Sequence, residues 1–215
     1  MASSEFGGVM EFIDLTNNIR QYKNIDLNVK DVLDEIDKSE NWYFYTNGYN
    51  PDGTECESAV KGEMLRVDPD SNFSELYSKI LKVFIDCISD YLSSKNDNIS
   101  LGNLDINTVD SDGNDKKAYM LLRRYFPGSR MSSHEDAILP MNGGGYTALL
   151  YLNDNYEGGE IMFTEENISV KPSAGSLIIF PERTVHEVLL VKEGNRYMTT
   201  GYIFRKYPED IPHMQ

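Results

Sequence analysis

Hydrophobic residues in the first half of the chain recur at helical spacing. After Asn28, apolar positions at i, i+3, i+4 and i+7 predict a short helix through residues 29–36. A broad apolar stripe over residues 71–92 predicts a longer amphipathic helix. The aromatic run 42–45 between them is typical of a strand, and the segment 47–57, rich in Gly, Asn, Pro and Asp, is typical of a loop.

From about Lys117 onward, short apolar runs are separated by turn residues, which is typical of β-strands. Such a series predicts a mostly β domain, a barrel or sandwich with helices packed outside one face. We therefore interpret residues 10–215 as one domain, with helical support over about 10–115 and a barrel core over about 117–206. We expect residues 1–9 to be an expression scar. Strands are predicted at 119–125, 146–152, 159–164, 168–170, 176–180, 185–191 and 197–204.

Acidic residues outnumber basic residues by 35 to 20, which gives the 215-residue chain a formal net charge of −15. An acidic surface repels phosphate backbones, so we expect no nucleic-acid partner, and it would favour a substrate with basic flanks. A solvated surface that only aids solubility explains the same charge. The sequence shows neither an apolar run long enough to span a membrane nor a signal-peptide pattern, so we expect a cytoplasmic location and no membrane partner. Cys56 and Cys87 are expected to be free thiols. The sequence gives no indication of the oligomeric state.

Two of the three histidines form a candidate metal site with one aspartate. His134 and Asp136 are two positions apart, so in an extended segment both side chains project to the same side. His186, from a distant strand, would complete a face of two imidazoles and one carboxylate. This ligand set suits iron(II) and leaves three adjacent coordination positions open, whereas a closed zinc site would require more cysteine or histidine ligands. Taken alone, a His-x-Asp also occurs as an ordinary hydrogen-bonded pair.

Arg196 follows His186 by ten residues, across a turn over 192–195. In a hairpin it would face into the barrel beyond the metal. A buried guanidinium is costly unless an anion pairs with it, so an inward Arg196 predicts an anionic ligand. The distal carboxylate of 2-oxoglutarate would supply that anion through a bidentate contact. The alternative is an exposed arginine beside the turn.

These residues lie within a longer series of motifs. Tyr125-Phe126-Pro127-Gly128 followed by His134-x-Asp136 resembles the Tyr-x-x-Gly-x5-His-x-Asp pattern of the prolyl 4-hydroxylase-like branch of the Fe(II)/2-oxoglutarate-dependent oxygenases. Segments 147–153, 158–160 and 170–176 resemble the motifs that follow in that branch, before His186 and Arg196. The resemblance covers roughly residues 119–204. It implies a double-stranded β-helix (jelly-roll) barrel supported by N-terminal helices.

The resemblance also implies an enzyme, a dioxygenase that hydroxylates a substrate C–H bond with release of succinate and CO2. Its cofactors would be Fe(II), 2-oxoglutarate as cosubstrate and O2, with ascorbate as a further candidate. For each aliphatic or aromatic residue an ordinary place in the barrel core is the alternative. The implied residues are His134, Asp136 and His186 as catalytic metal ligands; Arg196, Tyr151, Tyr125, Leu149, Ile161 and Val188 around 2-oxoglutarate; and Tyr202 and Arg124 toward the substrate.

The substrate implied first is a prolyl residue in a protein or peptide, over which segments 47–60 and 137–145 could close. A free amino acid or another small molecule is an alternative, because one fold hosts many functions. Nucleic-acid demethylation is disfavoured, since the alkylation-repair members carry a second arginine where this chain has Tyr202. A non-catalytic ligand-binding barrel is a further alternative, which the complete triad and Arg196 disfavour.

Overall fold

The structure, a computed structural model, describes residues 10–49, 55–95, 104–107, 119–136 and 145–205. The predicted scar at 1–9 and most of the segment 137–145 lie outside these ranges. The described residues form two helices and fifteen strands. The helices are α1 (Val29–Ile36) and α2 (Ser74–Ser94), and the strands are β1 (Glu11–Asp14), β2 (Arg20–Lys23), β3 (Tyr43–Tyr49), β4 (Glu55–Val67), β5 (Leu104–Asn107), β6 (Met120–Tyr125), β7 (Met131–His134), β8 (Gly145–Tyr151), β9 (Glu157–Gly158), β10 (Ile161–Phe163), β11 (Ile168–Val170), β12 (Ser176–Pro181), β13 (His186–Val188), β14 (Val191–Glu193) and β15 (Arg196–Arg205).

Both predicted helices are present. α1 begins after Asn28, whose side-chain oxygen accepts a hydrogen bond from the backbone N–H of Asp31 at 3.4 Å and so satisfies a free donor of the first turn. α2 begins at Ser74, later than predicted, because Ser71 lies in the preceding turn. There the Ser71 hydroxyl accepts a hydrogen bond from the backbone N–H of Phe73. The apolar spacing therefore located the helices, and turn chemistry decided where the longer one starts.

The region 10–115 was predicted as helical support with one strand at 42–45, and its described residues contain both helices together with five strands. β1 and β2 form a hairpin, and β2 joins it to the large sheet by pairing with β12. β3 and β4 form a second hairpin at the opposite edge of that sheet. Charged and small residues interrupt the apolar positions of β4, so its pairing with β3 and β6, and not its own pattern, decides its conformation.

Two sheets face each other around a shared core. The large sheet has the strand order β1-β2-β12-β8-β15-β6-β4-β3, with β5 also paired to β15, and the small sheet has the order β11-β10-β13-β7. Phe163 of the small sheet meets Phe180 of the large sheet at a ring-centroid distance of 5.2 Å. The predicted strand 185–191 is divided into β13 and β14, which pair with different strands. The prediction of a mostly β fold with flanking helices is confirmed.

A second core lies on the outer face of the large sheet, where α2 packs its apolar stripe. Leu76, Ile80 and Phe84 of α2 share this core with Leu122 and Leu150 of the sheet. Because α2 covers the outer face, the inner face of the same strands can line a site between the two sheets. No helix within the described ranges is both long enough and apolar enough to cross a membrane.

Candidate active site

Neighbouring strands of the small sheet bring the predicted metal ligands together. His134 ends β7, His186 begins β13, and the two are cross-strand partners with ring centroids 4.4 Å apart. Oδ1 of Asp136 lies 3.7 Å from Nε2 of His134, and Oδ2 lies 3.6 Å from Nε2 of His186. One potential ligand atom from each residue lies within 4.8 Å of the other two. The three side chains can therefore bind one cation, and their donor set fits iron(II).

Backbone hydrogen bonds fix the orientation of both imidazoles. Nδ1 of His134 lies 2.8 Å from the carbonyl oxygen of Ser132, and Nδ1 of His186 lies 2.9 Å from that of Thr184. A carbonyl oxygen only accepts, so each Nδ1 carries a proton, which leaves Nε2, on the side of Asp136, as the nitrogen that would bind a metal. Burial also lowers the pKa of His186, which favours the neutral imidazole that a metal ligand requires.

Arg196 is a buried cation, and within the described ranges no carboxylate forms an ion pair with it. Only 1% of the residue is exposed. Its Nη2 donates a hydrogen bond to the hydroxyl of Tyr151 at 3.3 Å, and its guanidinium carbon lies 5.0 Å and 5.5 Å from the ring centroids of Tyr151 and Tyr125. Nε has no hydrogen-bond partner among the described residues. A buried guanidinium with an unsatisfied donor fits a ligand carboxylate, such as that of 2-oxoglutarate.

A single cavity joins the triad to Arg196. Its volume is about 160 Å³, and both the metal ligands and the guanidinium lie on its wall. Four further predicted residues also line it, which are Tyr125, Leu149, Val188 and Tyr202. The sequence motifs thus indicated residues that the fold places in one cavity.

Tyr151 and Ile161 lie behind the cavity wall. Tyr151 is fully buried and reaches the site through its hydrogen bond with Arg196. Burial raises the pKa of Tyr151 to about 12, so its hydroxyl stays protonated near neutral pH. Ile161 is fully buried in the core between the sheets, together with Phe163 and Phe180, and does not line the cavity. Ile161 thus occupies an ordinary place in the barrel core, which was the alternative to contact with 2-oxoglutarate.

Arg124 points away from the cavity. Its guanidinium binds Glu63, lies 3.6 Å from Asp37 and lies over the ring of Trp42 at 4.4 Å from the centroid. Successive side chains of a strand project to opposite faces, and Tyr125 faces the cavity. The structure therefore places Arg124, predicted to lie toward the substrate, outside the cavity that holds the triad.

The inner face of the large sheet contributes lining residues that sequence reasoning missed. β15 supplies Met198 and Thr200, which alternate with the predicted Arg196 and Tyr202. β6 supplies Arg123, two positions before Tyr125. A period of two counted from the predicted residues would have found all three. Further lining residues are Tyr45, Asn47, Val60, Met64 and Met131.

Residues 120–204 match the family model described as the 2OG-Fe(II) oxygenase superfamily. The matched segment runs from β6 to the end of β15 and contains the triad and Arg196. The barrel segment belongs to the 2OG-Fe(II) oxygenase superfamily. Its description names iron(II) and 2-oxoglutarate, and the triad and the unpaired guanidinium fit those two groups. The resemblance predicted from the motifs is confirmed.

Several curated proteins are similar to part of this chain. A PKHD-type hydroxylase of Picosynechococcus sp. is 34% identical over 90 residues, which is 39% of this chain and 41% of that relative. A PKHD-type hydroxylase of Parvibaculum lavamentivorans is 36% identical over the same shares of the two chains. Human prolyl 3-hydroxylase 2 is 43% identical over 58 residues, which is 24% of this chain and 8% of that protein. The chain thus spans less than half of the length of the curated relatives that it matches.

Solved structures of prolyl hydroxylases share the fold. The prolyl hydroxylase of Trichoplax adhaerens, solved with a hypoxia inducible factor oxygen degradation domain peptide fragment, has a TM-score of 0.58 at 19% identity, covering 88% of this chain and 84% of that chain. The viral collagen prolyl hydroxylase of Paramecium Bursaria Chlorella virus-1, solved as a 2OG complex, has a TM-score of 0.50 at 23% identity, covering 68% and 80%. The predicted double-stranded β-helix with helical support is confirmed.

Proposed function

We propose that this chain is an iron(II)- and 2-oxoglutarate-dependent oxygenase that hydroxylates a prolyl residue of a protein or peptide, with release of succinate and CO2. The observation that carries the proposal is the single cavity in which two imidazoles and a carboxylate share the wall with a buried arginine. A metal-bound keto acid needs both parts, since its keto end binds the metal and its distal carboxylate needs a cation.

Each residue of the site has a defined task under this proposal. His134, Asp136 and His186 would bind the iron and leave three coordination positions for 2-oxoglutarate and O2. Arg196 would hold the distal carboxylate of 2-oxoglutarate. When bound, the iron and 2-oxoglutarate supply the oxidising chemistry, in which the keto acid is decarboxylated and a substrate C–H becomes C–OH.

The surrounding side chains position these groups. Tyr151 accepts a hydrogen bond from Arg196 and so restricts the guanidinium to the base of the cavity. Leu149 and Val188 add apolar surface to the wall of the cavity, which would limit the access of water to the reacting groups. The exposed Asn47 lies on the rim, where a substrate would enter.

Prolyl residues are the proposed target because human prolyl 3-hydroxylase 2 is 43% identical over 58 residues and a solved prolyl hydroxylase shares the fold. The net charge of −15 would favour a peptide with basic flanks at the outer surface. Binding that does not change with salt concentration would contradict this electrostatic contribution.

Iron binding and succinate formation test the proposal directly. The wild-type chain should bind one iron(II) and convert 2-oxoglutarate to succinate, even without a second substrate, at a slow rate. His134→Ala should lose both activities, because two ligands remain where three are needed. Ser133→Ala is the matched control, since this neighbouring side chain is exposed and outside the ligand set. Iron binding that survives in His134→Ala would reject the ligand assignment.

The substrate is tested with proline-containing peptides and mass spectrometry. The proposal expects a gain of one oxygen atom on a prolyl residue, dependent on iron(II) and 2-oxoglutarate. Oxygen gained only by free amino acids would redirect the proposal to a small-molecule hydroxylase. Absence of iron binding and of succinate, with and without peptides, would reject the oxygenase itself.

A further inference from the structure

Arg123 is a second cation in the cavity. It is the cross-strand partner of Met198, and Tyr125 is the partner of Arg196, in the antiparallel pair β6 and β15. Arg123 and Tyr125 are two positions apart on β6 and so face the same side of the sheet. Arg123 therefore lies roughly 7 Å along the strand from Tyr125, the partner of Arg196. Both arginines line the cavity.

The Arg123 guanidinium forms no ion pair with a carboxylate in the part of the chain that the structure describes. Its Nη1 donates a hydrogen bond to Oγ1 of Thr200 at 3.2 Å. A guanidinium offers five N–H donors, so this bond leaves further donors for a ligand. The adjacent Arg124, on the opposite face, binds Glu63 and lies close to Asp37. Of these two neighbouring arginines, Arg124 is paired with carboxylates outside the cavity, although Arg123, which lines the cavity, is not paired with any described carboxylate, in a chain with 35 acidic residues.

Arg123 also lies near the metal ligands. Tyr202 lies close enough to both Asp136 and Arg123 for their charges to act on its hydroxyl group. Thr200 and Tyr202 occupy alternate positions of β15, beyond Arg196 and Met198. Arg123 and the three residues of the triad line the same cavity, so a substrate that reaches the triad shares that cavity with the Arg123 guanidinium.

We infer that Arg123 and Thr200 form a subsite for a carboxylate of the substrate. The inference rests on the proposed function and narrows its substrate class to prolyl compounds with a carboxylate close to the ring that is hydroxylated. A guanidinium binds a carboxylate through two parallel hydrogen bonds, and the Thr200 hydroxyl can add a third. The carboxylate has two sources, which are the α-carboxylate of a terminal prolyl residue and the side chain of an acidic residue beside an internal prolyl residue.

Matched pairs of peptides separate the two sources. The first pair is the dipeptide Ala-Pro and its C-terminal amide, and the second is acetyl-Asp-Pro-Gly-amide and acetyl-Asn-Pro-Gly-amide. Dissociation constants are measured by ligand-observed NMR on the full chain with zinc(II) in place of iron and saturating 2-oxoglutarate, so that no turnover is needed. The variants are Arg123→Met, Arg123→Lys and, as a charge control on the exposed face of α2, Lys79→Gln.

The wild type should bind the charged member of one pair roughly tenfold or more tightly than its neutral partner, as expected for charge-assisted hydrogen bonds. Arg123→Met should abolish this preference without changing the affinity for the neutral partner. Arg123→Lys should restore it in part, and Lys79→Gln should keep it. The pair that shows the preference identifies the source of the carboxylate.

Equal affinities within both pairs, or a preference that survives in Arg123→Met, would overturn the subsite. The same holds if no probe binds, or if Arg123→Met weakens 2-oxoglutarate and leaves the peptides unaffected, because Arg123 would then serve the cofactor. Unchanged circular dichroism spectra of the variants control for misfolding. Failure of the oxygenase proposal is distinguishable, since it shows as absent succinate while the Arg123-dependent preference persists.

Discussion

Replacing Arg196 by methionine should separate binding from folding. Arg196 is 1% exposed, and its guanidinium has no carboxylate partner among the described residues. Exchange of a buried charge for an apolar side chain of similar volume is often neutral or stabilising by about 1–4 kcal/mol. The variant also loses one hydrogen bond to Tyr151, about 1 kcal/mol, and two ring contacts of about 0.5–1 kcal/mol each. The gain and the losses are of similar size, so we expect the free energy of unfolding to lie between about 3 kcal/mol below and about 2 kcal/mol above the wild-type value.

Affinity for 2-oxoglutarate should change far more. A bidentate contact provides two charge-assisted hydrogen bonds, each contributing about 1.5–3 kcal/mol. Their loss in Arg196→Met corresponds to roughly a hundredfold weaker binding or more. Iron binding should be retained, because the triad lies on the small sheet and Arg196 on the large one.

Arg20 offers the matched control, because it is also buried but its charge is paired. Its Nε lies 2.6 Å from Oδ1 of Asp14, and its Nη1 lies 3.1 Å from Oδ2 of Asp90. The two carboxylates are 46% and 37% exposed, so solvent screens these pairs, but the guanidinium carbon also lies 3.8 Å from the ring centroid of Phe12, and Arg20→Met should cost about 2–3 kcal/mol of stability. Its affinity for 2-oxoglutarate should be unchanged.

Urea unfolding followed by circular dichroism measures the stability term, and titration calorimetry with the zinc-loaded protein measures 2-oxoglutarate binding. If Arg196→Met unfolds more easily than Arg20→Met and still binds 2-oxoglutarate normally, Arg196 is a structural residue and our account of the cavity is wrong.

Two further predictions concern parts of the fold outside the cavity. Cys87 should not react with thiol reagents in folded Cys56→Ser protein at mildly alkaline pH, because it is 1% exposed and burial raises the pKa of its thiol to about 12, so the reactive thiolate is scarce below that pH. Reaction only after unfolding in urea is expected, and rapid native labelling would contradict this. Gly158→Ala should destabilise the protein more than Gly128→Ala: both glycines have positive φ, 69° and 94°, but a Cβ at Gly158 would lie 2.0 Å from the Leu190 carbonyl oxygen, whereas at Gly128 it meets no described atom within 4 Å. Gly128→Ala should lose only the contribution of backbone strain, about 1 kcal/mol. If both variants lost the same free energy of unfolding in urea denaturation, the clash at residue 158 would have been relieved by a local shift.

The positions of the proposed metal ligands and of Arg196 could be predicted because short-range geometry determines them. His134 and Asp136 occupy alternate positions of an extended segment, and their common direction follows from the pleat alone. Arg196 is separated from β13 and β14 only by a tight turn, so few placements are open to it. The aliphatic wall is harder, since Leu149 and Ile161 have the same chemistry and only the fold decides that Leu149 reaches the cavity.

The remaining elements depend on contacts that are distant in sequence. β2 has the sequence RQYK, with little apolar pattern, and becomes a buried strand because it pairs with β12 more than 150 residues later. Likewise β4 lacks a clear alternation and takes its place from β3 and β6. Whether Arg123 or Arg124 faces the cavity depends on the alternation of side chains along β6. Counting back two positions from Tyr125 gives Arg123, which is the arginine that lines the cavity.

The proposed iron ligands and the opposite wall of the cavity lie on different sheets. His134, Asp136 and His186 are held by β7 and β13, whereas positions 123, 198, 200 and 202 belong to β6 and β15. Randomising those four positions would therefore leave the strands that hold the metal unaltered. A library at these four positions would vary the size and charge of the cavity wall in a selection for new substrates. Measuring the iron content of each variant would show separately which variants still bind the metal.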